Sequence, residues 1–423
     1  MIFLLYLSFI CVVTIMVLYL VRHYVFSLTA LYYQKGQTHY TPHSISFRPT
    51  VSILIPARDE EEVLPNILWR ITELTYPKDK TEVIVIDDGS SDNTGKIAEE
   101  FAAIYDYIKV IHRPSNIGSR NKSTALNEGL EHARNQILIC FDADYYPQID
   151  ILEKLTAPFI DPEVGAVQGR VTVLNENSSL VSRIVALERI GGYRVDQLAR
   201  DDLGLIPQYG GTVGGFRRNL IEFLDGWDEN VLAEDTDLTF RVYRAGNKVR
   251  YVNEAESYEN AVSDLRSYWR QRHRWAKGHM QCFFKHLIPV LKSQNLRFRE
   301  KLDGVLLLGI YFVPILAALS WFLGALIFFF GTTNWFESVW NLVPIFVYSG
   351  VGNFALFFEV GVGIYLDRRV RIAWLIPLLL LSFALSTAIC FKAFLDLIYA
   401  RARRRSLNGW AKTLHNGGDP RCT

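Results

Sequence analysis

Residues 1–21, MIFLLYLSFICVVTIMVLYLV, carry no charged side chain, and apolar stretches recur at about 304–330, 342–366 and 372–399. Each is long enough to cross a ~30 Å hydrocarbon core at ~1.5 Å per residue. A secretory leader would share the first run, but a basic n-region and an A-x-A site are absent from it. Between these blocks, residues 45–300 follow the pattern of a water-soluble domain. Val51-Ser52-Ile53-Leu54-Ile55-Pro56 reads as a strand closed by proline, residues 60–74 as a helix, and Glu82-Val83-Ile84-Val85-Ile86 as a fully buried strand. Residues 93–106 are again helical in pattern, and Ile137-Leu138-Ile139-Cys140-Phe141 is a further buried strand. Apolar strands alternating with helices predict a largely parallel sheet covered on both faces. In such sheets ligands bind beyond the carboxyl ends of the strands.

The expected organisation is a membrane helix at 1–27, a polar linker over 34–50 and a globular domain at 45–262. An amphipathic interface segment follows at 263–300, then a membrane bundle at 301–400 and a basic tail at 401–423. The formal net charge of +1 argues against a polyanion-binding chain, so no nucleic-acid partner is expected. Local charge is more informative. Arg22 and His23 follow the first span, while Asp367-Arg368-Arg369-Val370-Arg371 and Arg401-Ala402-Arg403-Arg404-Arg405 flank the later ones. The positive-inside bias places these flanks, and residues 22–303, in the cytoplasm. Three C-terminal spans would carry the basic tail to the other side, against the same bias. Either one stretch is re-entrant or interfacial, or one is two spans. Cys11, Cys140, Cys282, Cys390 and Cys422 form no C-x-x-C pair, which disfavours a disulfide framework or a zinc site.

Candidate chemistry concentrates at the predicted strand ends. Asp87-Asp88-Gly89 follows the second strand, as a turn with a helix cap or as carboxylates facing a ligand. In Asp142-Ala143-Asp144, alternation in an extended segment would aim both carboxylates one way, a pattern suited to a hard divalent cation. Glu234-Asp235 opens a predicted helix; these acids suit either the helix dipole or a general base. Asp237 fits the first role better. Lys122 stands where a polar loop becomes a helix, a position suited to phosphate. The glycine-rich run 210–215 lacks the Lys-Ser/Thr of a Walker loop and suits close approach of backbone to a flat ligand. Residues 264–286 are rich in Arg and Trp; Arg266, Arg270, Arg272, Arg274 and Lys277 could lie on an anionic membrane, while Gln271, Arg274 and Trp275 could face the cleft.

Taken together, the ordered Asp-Asp-Gly, Asp-x-Asp, Glu-Asp and Gln-x-x-Arg-Trp motifs resemble the inverting family 2 glycosyltransferases. They are most similar to the processive membrane members, the cellulose, chitin, hyaluronan and poly-N-acetylglucosamine synthases. The resemblance covers residues 50–285 and the flanking spans. It implies a GT-A type, Rossmann-like mixed α/β sheet in a cytoplasmic domain inserted between transmembrane helices of a multi-pass plasma-membrane protein. By the same resemblance Glu60 and Asp88 contact uridine, Lys122 lies near the diphosphate, and Asp142 and Asp144 position the donor and Mg²⁺ or Mn²⁺. Asp235, beside Glu234, is the catalytic base. Gln271, Arg274 and Trp275 hold the diphosphate and stack under the acceptor sugar. The Gly211–Phe216 segment, with Gly214, falls where related synthases carry an acceptor loop, but its cysteine is missing here. The implied partners are UDP-glucose or UDP-N-acetylglucosamine, a growing polysaccharide, membrane lipids and export proteins. Trp321, Trp335, Trp340 and Trp374 line a polymer path or anchor at the interfaces. A non-processive transferase making a glycolipid is the alternative enzyme; a scaffold that only senses nucleotide sugar is the alternative without chemistry.

Overall fold

A computed structural model of the chain describes residues 2–33, 47–114, 121–330 and 353–403. Residues 34–46 of the linker expected over 34–50, together with Trp335, Trp340, Arg404, Arg405 and Cys422, lie outside the described residues.

The sheet has eight strands in the order β3-β2-β1-β4-β7-β6-β8-β5. The strands are β1 (Val51–Ala57), β2 (Thr81–Asp87), β3 (Ile108–His112), β4 (Ile137–Cys140), β5 (Tyr145–Pro147), β6 (Val164–Val173), β7 (Gly214–Arg217) and β8 (Lys248–Glu259). β3, β2, β1 and β4 run parallel, in the register Ile53↔Val83 and Ile53↔Ile139. β7 pairs antiparallel with both β4 and β6, and β5 antiparallel with β8, so the sheet is mixed. Three of its four parallel strands were readable because burial gives β1, β2 and β4 nearly continuous apolar runs; the edge strand β3, buried only at Ile108, was not. One face is covered by the Leu64–Thr72, Thr94–Ile104 and Ile151–Thr156 helices, the other by the Lys122–His132 and Glu234–Arg244 helices. Strand order reverses at β1: β2 lies on one side and β4 on the other, which opens a crevice beyond their carboxyl ends.

β7 is built from Gly214-Gly215-Phe216-Arg217, and it works only because its glycines let neighbouring strands close in. A Cβ on Gly215 would stand 2.0 Å from the Leu138 carbonyl oxygen, and one on Gly214 would stand 2.4 Å from that of Val167. Gly215→Ala is therefore expected to lower the thermal midpoint by about 5 °C or more, as a strained central strand loses at least ~2 kcal/mol. A thermal scan in detergent reads this directly.

Among the described residues three helices are long and apolar enough to cross a membrane: Phe3–Tyr32, Ile310–Phe330 and Val370–Ala402; Phe354–Leu366 is apolar but shorter. The first runs beyond the expected end at 27. Its Arg22 pairs with Asp196, which also accepts from Arg200 Nε at 2.5 Å. Arg200 in turn pairs with Asp303, on the Phe298–Leu308 helix, and the Phe26 ring lies 5.0 and 5.3 Å from the two guanidinium carbons. The expected basic flank at 367–371 is likewise tied to the domain. Asp367 pairs with Arg170 and Arg194, and Arg369 pairs with Glu176.

The expected interface segment is one 28-residue helix, Leu265–Lys292, capped by the Asp264 side chain accepting from Ser267 N–H at 2.9 Å. It does not simply lie on a lipid surface. Tyr268, Ala276 and Met280 pack into a cluster with Ile389, Cys390 and Ala393 of the apolar Val370–Ala402 segment. Arg272, one of the residues suited to anionic lipid, pairs inward with Glu188. A guanidinium on the face turned towards protein finds a carboxylate there, which compensates it better than a headgroup at a distance would.

Candidate active site

Beyond the carboxyl ends of β1 and β4 the chain encloses a cavity of ≈ 460 Å³. One end of it is made by the loops after β1 and β2. Gly89 takes the left-handed conformation, φ +68°, that turns the chain after Asp87-Asp88. Asp87 is buried and faces away from the role given to its neighbour: it accepts from Ser90 N–H and meets His112 Nδ1, both at 3.0 Å. That contact raises the His112 pKa above its ordinary value. Asp88 pairs with Arg113 and lines the cavity together with Glu60, whose N–H donates to Thr94 Oγ1 at 2.7 Å.

Lys122 opens the Lys122–His132 helix, capped by Asn121. Its ammonium donates to the Gly211 carbonyl at 2.7 Å and pairs with Asp142. Burial opposes the charge, but Asp142 and Glu234 outweigh it and hold the pKa above the ordinary lysine value. Asp142-Ala143-Asp144 forms a turn between β4 and β5 rather than the extended segment expected. The turn buries Ala143, leaves both carboxylates lining the cavity, and anchors Asp142 N–H on Thr212 Oγ1 at 3.0 Å. Two carboxylates facing a cavity, with no group of three or more His, Cys, Asp or Glu among the described residues, make an incomplete oxygen donor set. It fits Mg²⁺ or Mn²⁺ that completes its shell with diphosphate oxygens and water.

Glu234 and Asp235 begin the Glu234–Arg244 helix and both line the cavity. Asp235 Oδ1 accepts from Thr236 N–H at 2.6 Å, which fixes one oxygen. Burial, then the charge of Asp235, pushes the Glu234 pKa up to about 7; Lys122 and Arg274 pull it partly back. A raised carboxyl pKa means protons favour the fold. That stability is whole below the unfolded value of 4.5 and is lost as pH rises through about 7. Glu234→Gln is thus expected to raise the thermal midpoint of the ligand-free protein by a few degrees at pH 8 and hardly at all at pH 4.5. An equal shift at both values would show that Glu234 ionises freely.

Gln271, Arg274 and Trp275 stand at i, i+3 and i+4 on the long helix and share its cavity face. Gly214 does not reach the cavity. It sits in β7, where its missing side chain serves strand packing, and the cavity is lined instead by Gly210, Gly211 and Thr212. Gly211, at φ +85°, brings the backbone against Asp235: a Cβ there would be 3.5 Å from Asp235 Oδ2. The site also contains residues that the motifs did not announce, notably Arg189, Tyr193, Glu259, His279 and Tyr311. His279 Nε2 lies 3.2 Å from Thr236 Oγ1, its ring packs tilted at 38° against Tyr311 with centroids 4.6 Å apart, and its pKa is lowered by burial. Glu259 ends a strand just before the long helix and could have been suspected. Arg189 is a cation in an amphipathic helix and carried no such signal.

A mixed sheet with an acidic crevice at its switch point and an Asp-x-Asp turn defines a GT-A glycosyltransferase fold. The profile of "Glycosyltransferase like family 2" matches residues 49–278, and the chain belongs to that family. The chain is 39% identical over 251 residues to "Probable glycosyltransferase YdaM" of Bacillus subtilis, covering 59% of this chain and 60% of that one. It is 31% identical over 280 residues to "Beta-monoglucosyldiacylglycerol synthase" of Trichormus variabilis, covering 66% of this chain and 59% of that one. The chain thus spans about 60% of the length of these curated relatives. The mannosyltransferase PcManGT of Pyrobaculum calidifontis, solved with GDP-Man and Mn²⁺, has a TM-score of 0.58 at 21% identity over 86% of this chain and 99% of that one. This likeness is one of fold.

Proposed function

We propose that the chain is an inverting membrane β-glycosyltransferase that moves glucose or N-acetylglucosamine from a UDP-sugar to the end of a growing polysaccharide. The observation that carries the reading is the convergence of the Gln271, Arg274 and Trp275 face with Asp142, Asp144 and Asp235 on one cavity. Glu60 and Asp88 hold the nucleoside, and Lys122 and Arg274 meet the diphosphate. Mg²⁺ or Mn²⁺ on Asp142 and Asp144 supplies positive charge for the leaving diphosphate. Asp235 takes the proton of an acceptor hydroxyl. The freed oxygen attacks the anomeric carbon from the face opposite UDP, the bond to the diphosphate breaks, and an α-linked donor becomes a β-linked product. The catalytic domain faces the cytoplasm of a multi-pass plasma-membrane protein, with export partners receiving the polymer. A second reading, transfer to a lipid, is favoured by the cavity wall of Leu307, Ile310 and Tyr311 at the start of a membrane helix, and by the glycolipid-synthase relative.

The deciding experiment uses the purified chain in detergent with Mn²⁺, a panel of UDP-sugars, and acceptors of both kinds. A high-molecular-weight product cut by a linkage-specific β-hydrolase supports the polysaccharide reading. Product confined to added diacylglycerol moves the assignment to glycolipid synthesis, and UDP binding without turnover sinks both.

A further inference from the structure

Trp275 is held in the cavity wall with two guanidinium groups over its indole. Arg272 Cζ lies 4.3 Å and Arg189 Cζ 5.4 Å from the ring centroid. Each cation is backed by its own carboxylate. Arg189 Nε and Nη2 donate to the two oxygens of Glu259 at 2.6 and 3.0 Å, a bidentate pair. Arg272 pairs with Glu188, whose other oxygen accepts from Tyr268 and Ser382 hydroxyls at 2.7 and 2.5 Å. Glu259 also accepts from the Tyr145 hydroxyl at 2.7 Å, and Tyr145 directly follows Asp144. A continuous line of contacts therefore runs from the Asp-x-Asp turn, through the indole, to Ser382 on the last membrane helix.

No step of the proposed transfer employs Arg189. Lys122 and Arg274 already supply the cations for the diphosphate, and Glu259 neutralises Arg189 through both its oxygens. A guanidinium so paired is no longer free to bind an anion strongly. It can still act through the ring, since cation–π attraction strengthens where water is excluded. Arg189 also ends the Leu180–Arg189 helix, where the chain enters a π-helical stretch, Ile190–Gln197, that brings Gly192 and Tyr193 to the same cavity. A Cβ on Gly192 would meet nothing within 4 Å, so this side of the cavity is open.

We propose that Arg189, paired with Glu259, is a positioning residue that fixes the Trp275 indole in the orientation that receives the acceptor. The inference rests on the proposed transfer reading, in which Trp275 is the acceptor platform. It implies that Arg189 governs acceptor binding and leaves donor binding alone. The orientation of the platform is then set from the donor side, through Tyr145 and Glu259, and from the membrane side, through Arg272 and Glu188.

The test uses the full chain in detergent, with Arg189→Met, Arg189→Lys and Glu259→Gln, and the acceptor that the unaltered protein glycosylates. Two quantities are measured: the acceptor KM, and the Kd for UDP with Mn²⁺ by calorimetry. Arg189→Met is expected to raise the acceptor KM about tenfold while the UDP Kd stays within about twofold. Arg189→Lys keeps the charge without the fork and should recover part of the loss. In a Trp275→Ala background, Arg189→Met should add little, because the platform is already gone. An unchanged acceptor KM overturns the proposal, and so does a parallel loss of UDP binding, which a merely structural role would produce. Failure of the transfer reading itself shows earlier, as absence of turnover in the unaltered protein.

Discussion

Asp235→Asn is expected to lower kcat by a factor of about 10² to 10⁴, the usual worth of a positioned general base. UDP affinity should stay within about twofold, because the substitution preserves size and Lys122, Asp142 and Arg274 are untouched. The basis is local. Asp235 Oδ1 is occupied by Thr236 N–H at 2.6 Å, and the carboxylate borders Gly211 on the cavity side. Asparagine can fill that space without taking a proton. Transfer rate and UDP binding measured side by side check this. Retained transfer would show that another group, such as Glu234, takes the proton; loss of both would point to collapse of the site. A nucleotide-sugar sensor would keep its binding and its output.

Asp237→Ala is expected to be the most destabilising single change in the domain, by about 3–5 kcal/mol, with loss of the thermal midpoint on the order of 10 °C. Only two residues from Asp235, Asp237 points the other way and is fully buried. It accepts from Arg241 Nε and from His286 Nε2, both at 2.7 Å, and pairs with Lys285. Burial opposes its ionisation, but His286, Arg241 and Lys285 outweigh it and hold its pKa well below the ordinary value. That stability is present above the unfolded pKa of about 3.8 and is lost as pH falls below it. Alanine removes the anion and leaves Arg241 with carbonyl acceptors alone, while Lys285 keeps only Asp228. A thermal scan of Asp237→Ala against Asp235→Asn separates the two acids: one should lose stability, the other turnover. A midpoint unchanged in Asp237→Ala would mean that the cluster contributes nothing net.

These acids also mark how far the sequence could be read. Glu234, Asp235 and Asp237 are one acidic helix start in the sequence, and helical geometry sends the first two to the cavity and the third to the opposite side. β1, β2 and β4 were legible because burial on both faces demands continuous apolar runs, whereas the mostly uncovered edge strand β3 was not. β7 was not, since Gly214-Gly215-Phe216-Arg217 has no such run and is a strand only because β4 and β6 press on both its edges. For that reason Gly214 read as a ligand contact and proved to be a packing residue, while Gly211 came to the cavity. Asp142 and Asp144 were found for a partly different reason from the one that places them, because a turn, not strand alternation, brings both to the cavity. Arg272 illustrates a further limit. On an amphipathic helix, a cation destined for a buried carboxylate and one destined for lipid look alike.

The pairing of Arg22 with Asp196 bears on how portable this catalyst is. The linker after the first helix invites a cut that would leave a soluble enzyme behind. Such a cut would remove the cation that shares Asp196 with Arg200, and Asp196 forms part of the cavity wall. The first helix, apolar enough to cross a membrane, is thus also a component of the domain. Any transplant of this domain onto another anchor would have to bring an arginine to the same place.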